Sequence, residues 1–167
     1  MKVRIAINGF GRIGRVFLRS VLKHPNIEVV AINDLSSSET MSHLFKYDSV
    51  HRTFEGKVSY TSNSIVVDDK PIYYSSISEP EKLPWKDLKV DIVLECTGNF
   101  KTKKLASKHL KAGANKVIIS APPTDSDIKT IVIGVNDDII DGTEQILSNA
   151  SCTTNSAAPM IQLINNH

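Results

Sequence analysis

The chain is poor in cysteine and has no long apolar segment, and both features narrow its class. Its two cysteines, Cys96 and Cys152, are too few for the disulfide framework of a small secreted protein. No apolar run approaches the ~20 residues that a membrane-spanning helix needs. The N-terminal segment MKVRIAINGFG has neither the apolar stretch nor the cleavage site of a signal peptide. We therefore expect a cytoplasmic chain that does not associate with a membrane.

An excess of charge of one sign is also lacking. The 20 basic and 18 acidic residues are scattered along the chain and leave a formal net charge of +2. This balance gives no electrostatic reason to expect nucleic acid as a partner, and we expect no metal site. The densest basic cluster is interpreted as the solvated face of a helix and comprises Lys101, Lys103, Lys104, Lys108 and Lys111.

What is present is the composition of an ordinary globular domain. The chain has 167 residues, 41% of them hydrophobic, which is enough for a core without disulfides. Apolar residues alternate at Val3, Ile5 and Ile7, and after a glycine turn they recur at helical spacing from Ile13 to Leu22. This change of period predicts a strand, a turn and a helix. The segment IEVVAIN, residues 27–33, predicts a second strand parallel to the first.

The rest of the chain continues the alternation of strands and helices. The segment SETMSHLFKYD predicts a short helix, and residues 57–74 predict an antiparallel ribbon. The segments DIVLECTG, KVIISAP and TIVIGVN predict buried strands, and TKKLASKHLKAG predicts a helix closed by Gly113. We therefore expect an α/β domain with a doubly wound, mainly parallel sheet, helices on both faces and a small antiparallel insertion.

The turn after the first strand carries glycines in G-x-G-x-x-G spacing, at Gly9, Gly11 and Gly14. Glycine there lets a pyrophosphate approach free N–H groups at a helix N-terminus, where the helix dipole favours negative charge. Asp34 follows the second strand, 34 − 14 = 20 residues after Gly14. A carboxylate at that point binds the adenosine ribose hydroxyls and repels a 2′-phosphate. A tight turn and an exposed strand-end acid are the alternatives, but together the features favour a Rossmann-type domain that binds NAD rather than NADP.

The segment SNASCTTNSAAP, residues 148–159, is a second candidate site. It places Cys152 at the start of a predicted helix, where the dipole and free amides lower the pKa of a thiol. The flanking hydroxyls of Ser151 and Thr153 suit the binding of an oxyanion or a phosphate. The alternative is a buried structural cysteine, which is how we interpret Cys96 in its apolar strand.

A cysteine nucleophile needs a base, which is usually a histidine. The chain offers five, at His24, His43, His51, His109 and His167. Two of them lie near predicted helix C-termini, where a surface position is commonest. The other three are remote from Cys152 in sequence or lie at the chain terminus. None has a compelling claim, so the residues alone do not identify the base.

Seven segments together resemble glyceraldehyde-3-phosphate dehydrogenase. They are INGFGRIGR (7–15), AINDL (31–35), HLFKYDSVH (43–51), LPW (83–85), ECTGNF (95–100), KVIISAP (116–122) and SNASCTTNSAAP (148–159). They follow the family's order across nearly the whole chain, and the cysteine segment is highly specific. The resemblance is to the N-terminal part of that family. It implies a Rossmann domain that binds NAD over residues 1–150 and the start of a catalytic domain over residues 151–167.

The resemblance also implies roles for individual residues. Those expected around NAD are Asn8, Gly9, Arg12 and Ile13 at the pyrophosphate and nicotinamide side, Asp34 at the adenosine ribose, Thr97 and Phe100 at the adenine, and Ser120 near the nicotinamide. Cys152 would be the nucleophile, with Ser151 and Thr153 in the phosphate-binding surface. The family's activating histidine lies in its catalytic domain, beyond the matching segments. We therefore expect this chain to lack the base of Cys152 and to be inactive alone.

The implied reaction is the NAD-dependent, phosphorylating oxidation of glyceraldehyde 3-phosphate in glycolysis, by a homotetramer. The Cys152 thiolate would attack the aldehyde, hydride would pass to NAD, and inorganic phosphate would cleave the thioester. An erythrose-4-phosphate dehydrogenase, which passes the acyl group to water, and a non-catalytic NAD-binding module are the alternatives. The chain departs from the family at Ser78, where an arginine is frequent near the adenine, at Ser156, where many members have a second cysteine, and at Pro123, where alanine is commoner.

Overall fold

An eight-stranded sheet forms the centre of the protein, whose structure is a computed structural model describing residues 2–166. The strands are, in chain order, β1 (Val3–Asn8), β2 (Ile27–Asn33), β3 (Tyr47–Asp48), β4 (Arg52–Thr53), β5 (Val58–Thr61), β6 (Ser64–Val67), β7 (Lys70–Ser75), β8 (Ile92–Glu95), β9 (Lys116–Ile119) and β10 (Ile146–Ser148). The sheet order is β10-β9-β8-β1-β2-β7-β6-β5, with β3 and β4 in a separate hairpin. The first six strands in this order are parallel, and β6 and β5 extend the edge antiparallel. The predicted fold class is confirmed.

Within residues 2–166, four α-helices accompany the sheet: α1 (Arg12–Val21), α2 (Ser38–Lys46), α3 (Lys103–Lys111) and α4 (Cys152–Asn165). The side chains of Ser37, Thr102 and Ser151 each accept a backbone N–H from the first turn of α2, α3 and α4, respectively. Such caps satisfy donors that a helix leaves unpaired at its start. Helix α1 has Gly11 as its N-cap residue and therefore has no side-chain cap. Within residues 2–166, no helix has the length and hydropathy needed to cross a bilayer.

Two hydrophobic cores lie on opposite faces of the sheet, because successive side chains of a strand point to opposite sides. In β1, Ala6 belongs to one core and Ile7 to the other. The core of Ala6 includes Ala106 of α3, and the core of Ile7 includes Leu18 of α1 and Phe45 of α2. Helices therefore pack on both faces, as expected for a doubly wound sheet.

The segment TIVIGVN, predicted as a strand, is instead a bridge followed by turns. Thr130 pairs with Ser148 in a single bridge, and no strand follows within residues 130–136. The Asn136 side chain accepts from the Val132 N–H and donates to the Thr130 carbonyl, and Gly134 has a φ of 80°. These local bonds replace a strand ladder, and the left-handed glycine ends the extended run.

Two side chains also lie where the sequence did not place them. His109, predicted at the surface, is fully buried because its ring bonds to Trp85 and Glu95. Cys96, predicted within an apolar strand, follows the last residue of β8 and is partly buried. Burial is the main cause that raises the pKa of the Cys96 thiol to about 12. Both residues lie at or beneath the crevice described below.

Helix α4 differs from the other helices, since none of its described residues is buried. Its largest apolar residues, Met160, Ile161, Leu163 and Ile164, are 58–77% exposed. The helix continues through Pro159, which lies beyond the early turns where proline is best tolerated and removes one backbone hydrogen bond. The helix therefore presents an apolar face that nothing in residues 2–166 covers.

Candidate functional site

A crevice opens at the carboxyl ends of the parallel strands β1, β2 and β8. It has a volume of about 330 Å³ and lies where the strand order reverses, with β2 on one side of β1 and β8 on the other. Open α/β sheets bind their ligands at such a reversal. Six of the residues predicted for cofactor binding line this crevice: Asn8, Gly9, Gly11, Asp34, Thr97 and Phe100.

Each of the three glycines in the turn after β1 occupies its position for a different structural reason. Gly9 has a φ of 91°, a left-handed conformation that glycine adopts readily. At Gly14, a Cβ would lie 2.5 Å from the Gly9 carbonyl oxygen, so glycine is needed for the close packing of α1 on β1. At Gly11, a Cβ would meet nothing within 4 Å. Gly11 therefore faces open space, which leaves room for a ligand to approach the backbone.

Asp34 is held in place before any ligand binds. One of its carboxylate oxygens accepts the Phe10 N–H at 2.8 Å, and the other accepts the Ser36 N–H at 2.9 Å. An ionised carboxylate has about four lone-pair positions, so two remain for the hydroxyls of a ribose. Nearby, burial and then the charge of Asp34 raise the pKa of Tyr74, whose hydroxyl donates to the Ser36 carbonyl. The position of Asp34 fits the predicted contact with a ribose.

The N-terminus of α1 opens beside this carboxylate. No side chain caps it, and no acidic residue lies in its first turn. The first backbone N–H groups of a helix have no intrahelical partner, and the helix dipole favours an anion there. Arg12 and Ile13 occupy this turn and are exposed, although neither lines the crevice itself. The glycine turn, the uncapped helix and the Asp34 carboxylate together fit the pyrophosphate and ribose of a dinucleotide.

Two of the residues predicted to bind the cofactor do not lie where a direct side-chain contact with it would place them. Asn8 lines the crevice, but it is 2% exposed and its amide is bonded to Glu95 and Asn33 within the sheet. Ser120 follows β9, and its N–H donates to the Glu95 carbonyl at 3.0 Å. Ser120 does not line the crevice. Its predicted approach to the nicotinamide stays a prediction.

Six crevice residues were not predicted as site residues: Asn33, Leu35, Ile77, Ser78, Cys96 and Asn99. Three of them lie at strand ends, where all the parallel strands finish at this edge of the sheet: Asn33 is the last residue of β2, Leu35 follows Asp34, and Cys96 follows the last residue of β8. That rule could have found Asn33, Leu35 and Cys96 from the strand ends alone. Ile77 and Ser78 come from the segment after β7, and no local pattern predicted that β7 would lie next to β2.

Cys152 is exposed and is the first residue of α4. Beside it, the Ser151 hydroxyl caps the helix and lies 2.9 Å from the Thr153 hydroxyl. Ala150 precedes this cap with a φ of 58°, a left-handed conformation that is uncommon for a residue with a side chain and is frequent at functional sites. Since β10 is two strands from β8, this turn lies about 10 Å along the same edge from the wall of the crevice.

Two candidate bases lie at the far edge of the sheet from Cys152. His43 is on α2 and His51 lies between β3 and β4, and α2 packs on β5 and β6. Strands β5 and β10 are the two edges of the sheet. Seven strand spacings of about 4.8 Å separate them, or about 34 Å in all.

The remaining histidines do not reach Cys152 either. His24 accepts the Asn26 N–H in the turn before β2, at the amino ends of the parallel strands, whereas Cys152 is at the carboxyl ends. His109 is fully buried against Trp85. His167 lies outside the described residues. Within residues 2–166, the structure therefore places no histidine as the base of Cys152.

Comparison with known proteins identifies the family of this domain. The family described as "Glyceraldehyde 3-phosphate dehydrogenase, NAD binding domain" matches residues 3–103, which is more than half of the chain. The chain belongs to this family. The predicted resemblance, the Rossmann-type fold and NAD as cofactor are thereby confirmed, and the crevice at β1, β2 and β8 is the part of the fold that fits NAD.

Similarity to curated glyceraldehyde-3-phosphate dehydrogenases extends over almost the whole chain. The chain is 55% identical to that of Thermotoga maritima over 163 residues, covering 96% of this chain and 49% of the relative. It is 52% identical to that of Clostridium acetobutylicum over 162 residues (97% and 48%) and 52% identical to that of Geobacillus stearothermophilus over 165 residues (98% and 49%). The chain therefore spans about half the length of the curated relatives it matches.

Proposed function

We propose that this chain is the NAD-binding half of a phosphorylating glyceraldehyde-3-phosphate dehydrogenase that acts in glycolysis, with Cys152 as its nucleophile. The observation that carries the proposal is the exposed Cys152 at the start of α4, on the same sheet edge as the NAD crevice. Membership of the family and the similarity to glyceraldehyde-3-phosphate dehydrogenases support it.

The cofactor supplies the hydride acceptor when it is bound in the crevice. Gly9, Gly11 and the amides of α1 would admit and hold its pyrophosphate, and the Asp34 carboxylate would accept bonds from the adenosine ribose. The remaining proposed contacts are Asn8, Arg12 and Ile13 on the pyrophosphate and nicotinamide side, Thr97 and Phe100 beside the adenine, and Ser120 toward the nicotinamide.

The Cys152 thiolate attacks the aldehyde carbon of glyceraldehyde 3-phosphate, and a C–S bond forms as the carbonyl electrons move to oxygen. Loss of hydride from the same carbon leaves a thioester on Cys152. Inorganic phosphate then attacks the thioester carbonyl, the C–S bond breaks, and the acyl phosphate and the thiolate are released. The Ser151 and Thr153 hydroxyls, 2.9 Å apart beside the thiol, are placed to bind phosphate during these steps.

The proposal includes a division of the chain near residue 150. Residues 1–150 form the NAD-binding Rossmann domain, and residues 151–167 begin the catalytic domain. The absence of any buried residue in the described part of α4 supports this division, since a helix of a finished core buries one face. We also propose a homotetramer for the whole protein. A cytoplasmic location is part of the proposal, because a reducing compartment keeps an exposed nucleophilic thiol reduced.

Oxidation of erythrose 4-phosphate is the nearest alternative, and a non-catalytic NAD-binding module is the alternative from another class. The test uses the whole protein, at the length of its relatives, with NAD and either aldehyde in the presence and absence of inorganic phosphate. We expect phosphate-dependent NADH formation from glyceraldehyde 3-phosphate that is lost in Cys152→Ser. Preference for erythrose 4-phosphate without a need for phosphate would favour the first alternative. NAD binding with no cysteine-dependent turnover of either aldehyde would favour the second.

A further inference from the structure

A network of buried side chains lies beneath the crevice, centred on Glu95 at the end of β8. Glu95 is 1% exposed, and one carboxylate oxygen accepts from the Asn8 amide at 2.6 Å and pairs with His109 Nε2 at 3.0 Å. The other oxygen accepts from the backbone N–H and the hydroxyl of Thr97. An ionised carboxylate offers about four lone-pair positions, and these four partners use all of them.

Trp85 determines the direction of the bonds in this network. An indole N–H can only donate, and it donates to His109 Nδ1 at 3.0 Å. The ring proton of His109 is therefore on Nε2 and points to Glu95. On the other side of Glu95, the Asn8 nitrogen is the donor, so the Asn8 oxygen accepts from the Asn33 amide at 2.8 Å. The donors on both sides thus point toward the Glu95 carboxylate.

Asn33 extends the network to β7. Its oxygen accepts the Ser75 hydroxyl at 2.8 Å and the Ile77 N–H at 2.9 Å, and its nitrogen also donates to the Ile77 carbonyl at 2.9 Å. The network therefore crosses the ends of β8, β1, β2 and β7. Asn8 and Asn33 line the crevice, whereas Ser75 and Trp85 do not. We call this set, from Trp85 through His109, Glu95, Asn8 and Asn33 to Ser75, the Glu95 network.

We propose that Glu95 is a positioning residue that sets the spacing of the NAD crevice through the Glu95 network. The backbone at Gly9 packs so closely on the opposite wall that a Cβ there would lie 2.8 Å from the Thr97 nitrogen. Glu95 holds Thr97 with one oxygen and Asn8, next to Gly9, with the other. It therefore fixes the glycine turn relative to the wall that carries Thr97. This inference rests on NAD binding in this crevice and adds the buried residues that shape it.

Glu95→Gln tests the proposal, because the new side chain has the same shape but must present an NH₂ group to donors. If the NH₂ group faces His109, Nε2 must accept a hydrogen bond, so the ring proton moves to Nδ1. The Trp85 indole N–H then loses Nδ1 as its acceptor. We expect NAD to bind at least about tenfold more weakly by calorimetry, a factor typical for loss of bonds to a charged group. We also expect the fluorescence of Trp85, the single tryptophan of the chain, to change.

Ile65→Val is the matched control for a loss of stability. Ile65 is fully buried in β6, a strand that carries no member of the Glu95 network, and it belongs to the core on the sheet face opposite that of Trp85. The variant should lose about 0.5–1.5 kcal/mol of stability and keep the NAD affinity and the Trp85 fluorescence of the unsubstituted chain. An equal loss of NAD affinity in both variants at a matched melting temperature would show that stability, rather than position, controls binding, and would overturn the proposal.

Ser75→Ala tests the far end of the network should Glu95→Gln not fold. The substitution removes the Ser75 hydroxyl as a donor to the Asn33 oxygen, which keeps the Ile77 N–H as its other donor. Ser75 does not line the crevice, so the substitution removes no direct contact with the cofactor. We expect NAD binding to weaken by about threefold. Unchanged affinity in every folded network variant, while the unsubstituted chain binds NAD, would overturn the positioning role alone. Failure of the unsubstituted chain to bind NAD would overturn the role together with the assignment of the crevice.

Discussion

The crevice at β1, β2 and β8 and the Cys152 turn share one edge of the sheet but differ in how completely they are built. In the crevice, Asp34 is held by two backbone N–H groups, and Asn8 and Asn33 are buried with their amides bonded. At the other site, Cys152 is exposed at the start of a helix with no described residue buried. The crevice is therefore preorganised by bonds within the chain, whereas within residues 2–166 no histidine lies near Cys152 and nothing covers the apolar face of α4.

Catalysis should show the largest difference between the two sites. The chain of 167 residues, saturated with NAD, should give no measurable oxidation of glyceraldehyde 3-phosphate. The reason is that no described histidine lies near Cys152, and general base assistance alone contributes about 10²–10⁴-fold in rate. The measurement is NADH formation with phosphate and excess protein. Production of NADH that disappears in Cys152→Ser would contradict the account and direct attention to His167, which lies outside the described residues.

Thiol chemistry should separate the two cysteines. Burial raises the pKa of Cys96 to about 12, so its thiol is almost entirely protonated at pH 8. Cys152 is exposed at a helix N-terminus, and we expect an alkylating reagent at pH 8 to modify it at least about 100-fold faster than Cys96. Peptide mass spectrometry over time measures both rates. Raising the pH toward 12 should bring the two alkylation rates closer together. Equal rates for Cys152 and Cys96 at pH 8 would show that burial does not protect the Cys96 thiol from the reagent.

Two glycine substitutions should separate binding from stability within the crevice. Gly14→Ala places a Cβ 2.5 Å from the Gly9 carbonyl oxygen and should lower the free energy of unfolding by about 1–3 kcal/mol. Gly11→Ala places its Cβ in open space, so we expect little change in stability but about tenfold weaker NAD binding, since the methyl group occupies the approach of the pyrophosphate. Thermal melts and calorimetry on both variants test this. If Gly14→Ala and Gly11→Ala lowered the free energy of unfolding equally, the assigned difference between a packing glycine and a ligand-facing glycine would be wrong.

The sequence predicted the crevice well because local rules define it. The glycine spacing and an acid at the end of β2 are short-range features, and the structure places Gly9, Gly11 and Asp34 together at one crevice. The burial of His109 depends instead on Trp85 and Glu95, which are 109 − 85 = 24 and 109 − 95 = 14 residues away, so helix position alone misled. Helix periodicity reports which face is apolar, but it does not report that a polar ring will find two buried partners.

The Cys152 turn was predictable in part for the same reason. The start of the helix at Cys152 followed from local residue types and is observed, with Ser151 as its N-cap. The strand prediction for the segment TIVIGVN was wrong, although its apolar residues alternate as they do in a strand. The Asn136 side chain supplies the hydrogen bonds that a neighbouring strand would have supplied. No pattern in the sequence distinguishes these two ways of satisfying the same backbone groups.

Titration of the unsubstituted chain with NAD and with NADP, repeated on Asp34→Ala, tests the central assignment most directly. We expect NAD to bind more tightly than NADP, because the Asp34 carboxylate would accept bonds from the ribose hydroxyls and repel a 2′-phosphate. Asp34→Ala should weaken NAD binding and narrow the preference by about tenfold or more, as expected for loss of bonds to a charged group. Equal affinity for the two cofactors in the unsubstituted chain, or a preference unchanged by Asp34→Ala, would contradict the assignment of this crevice.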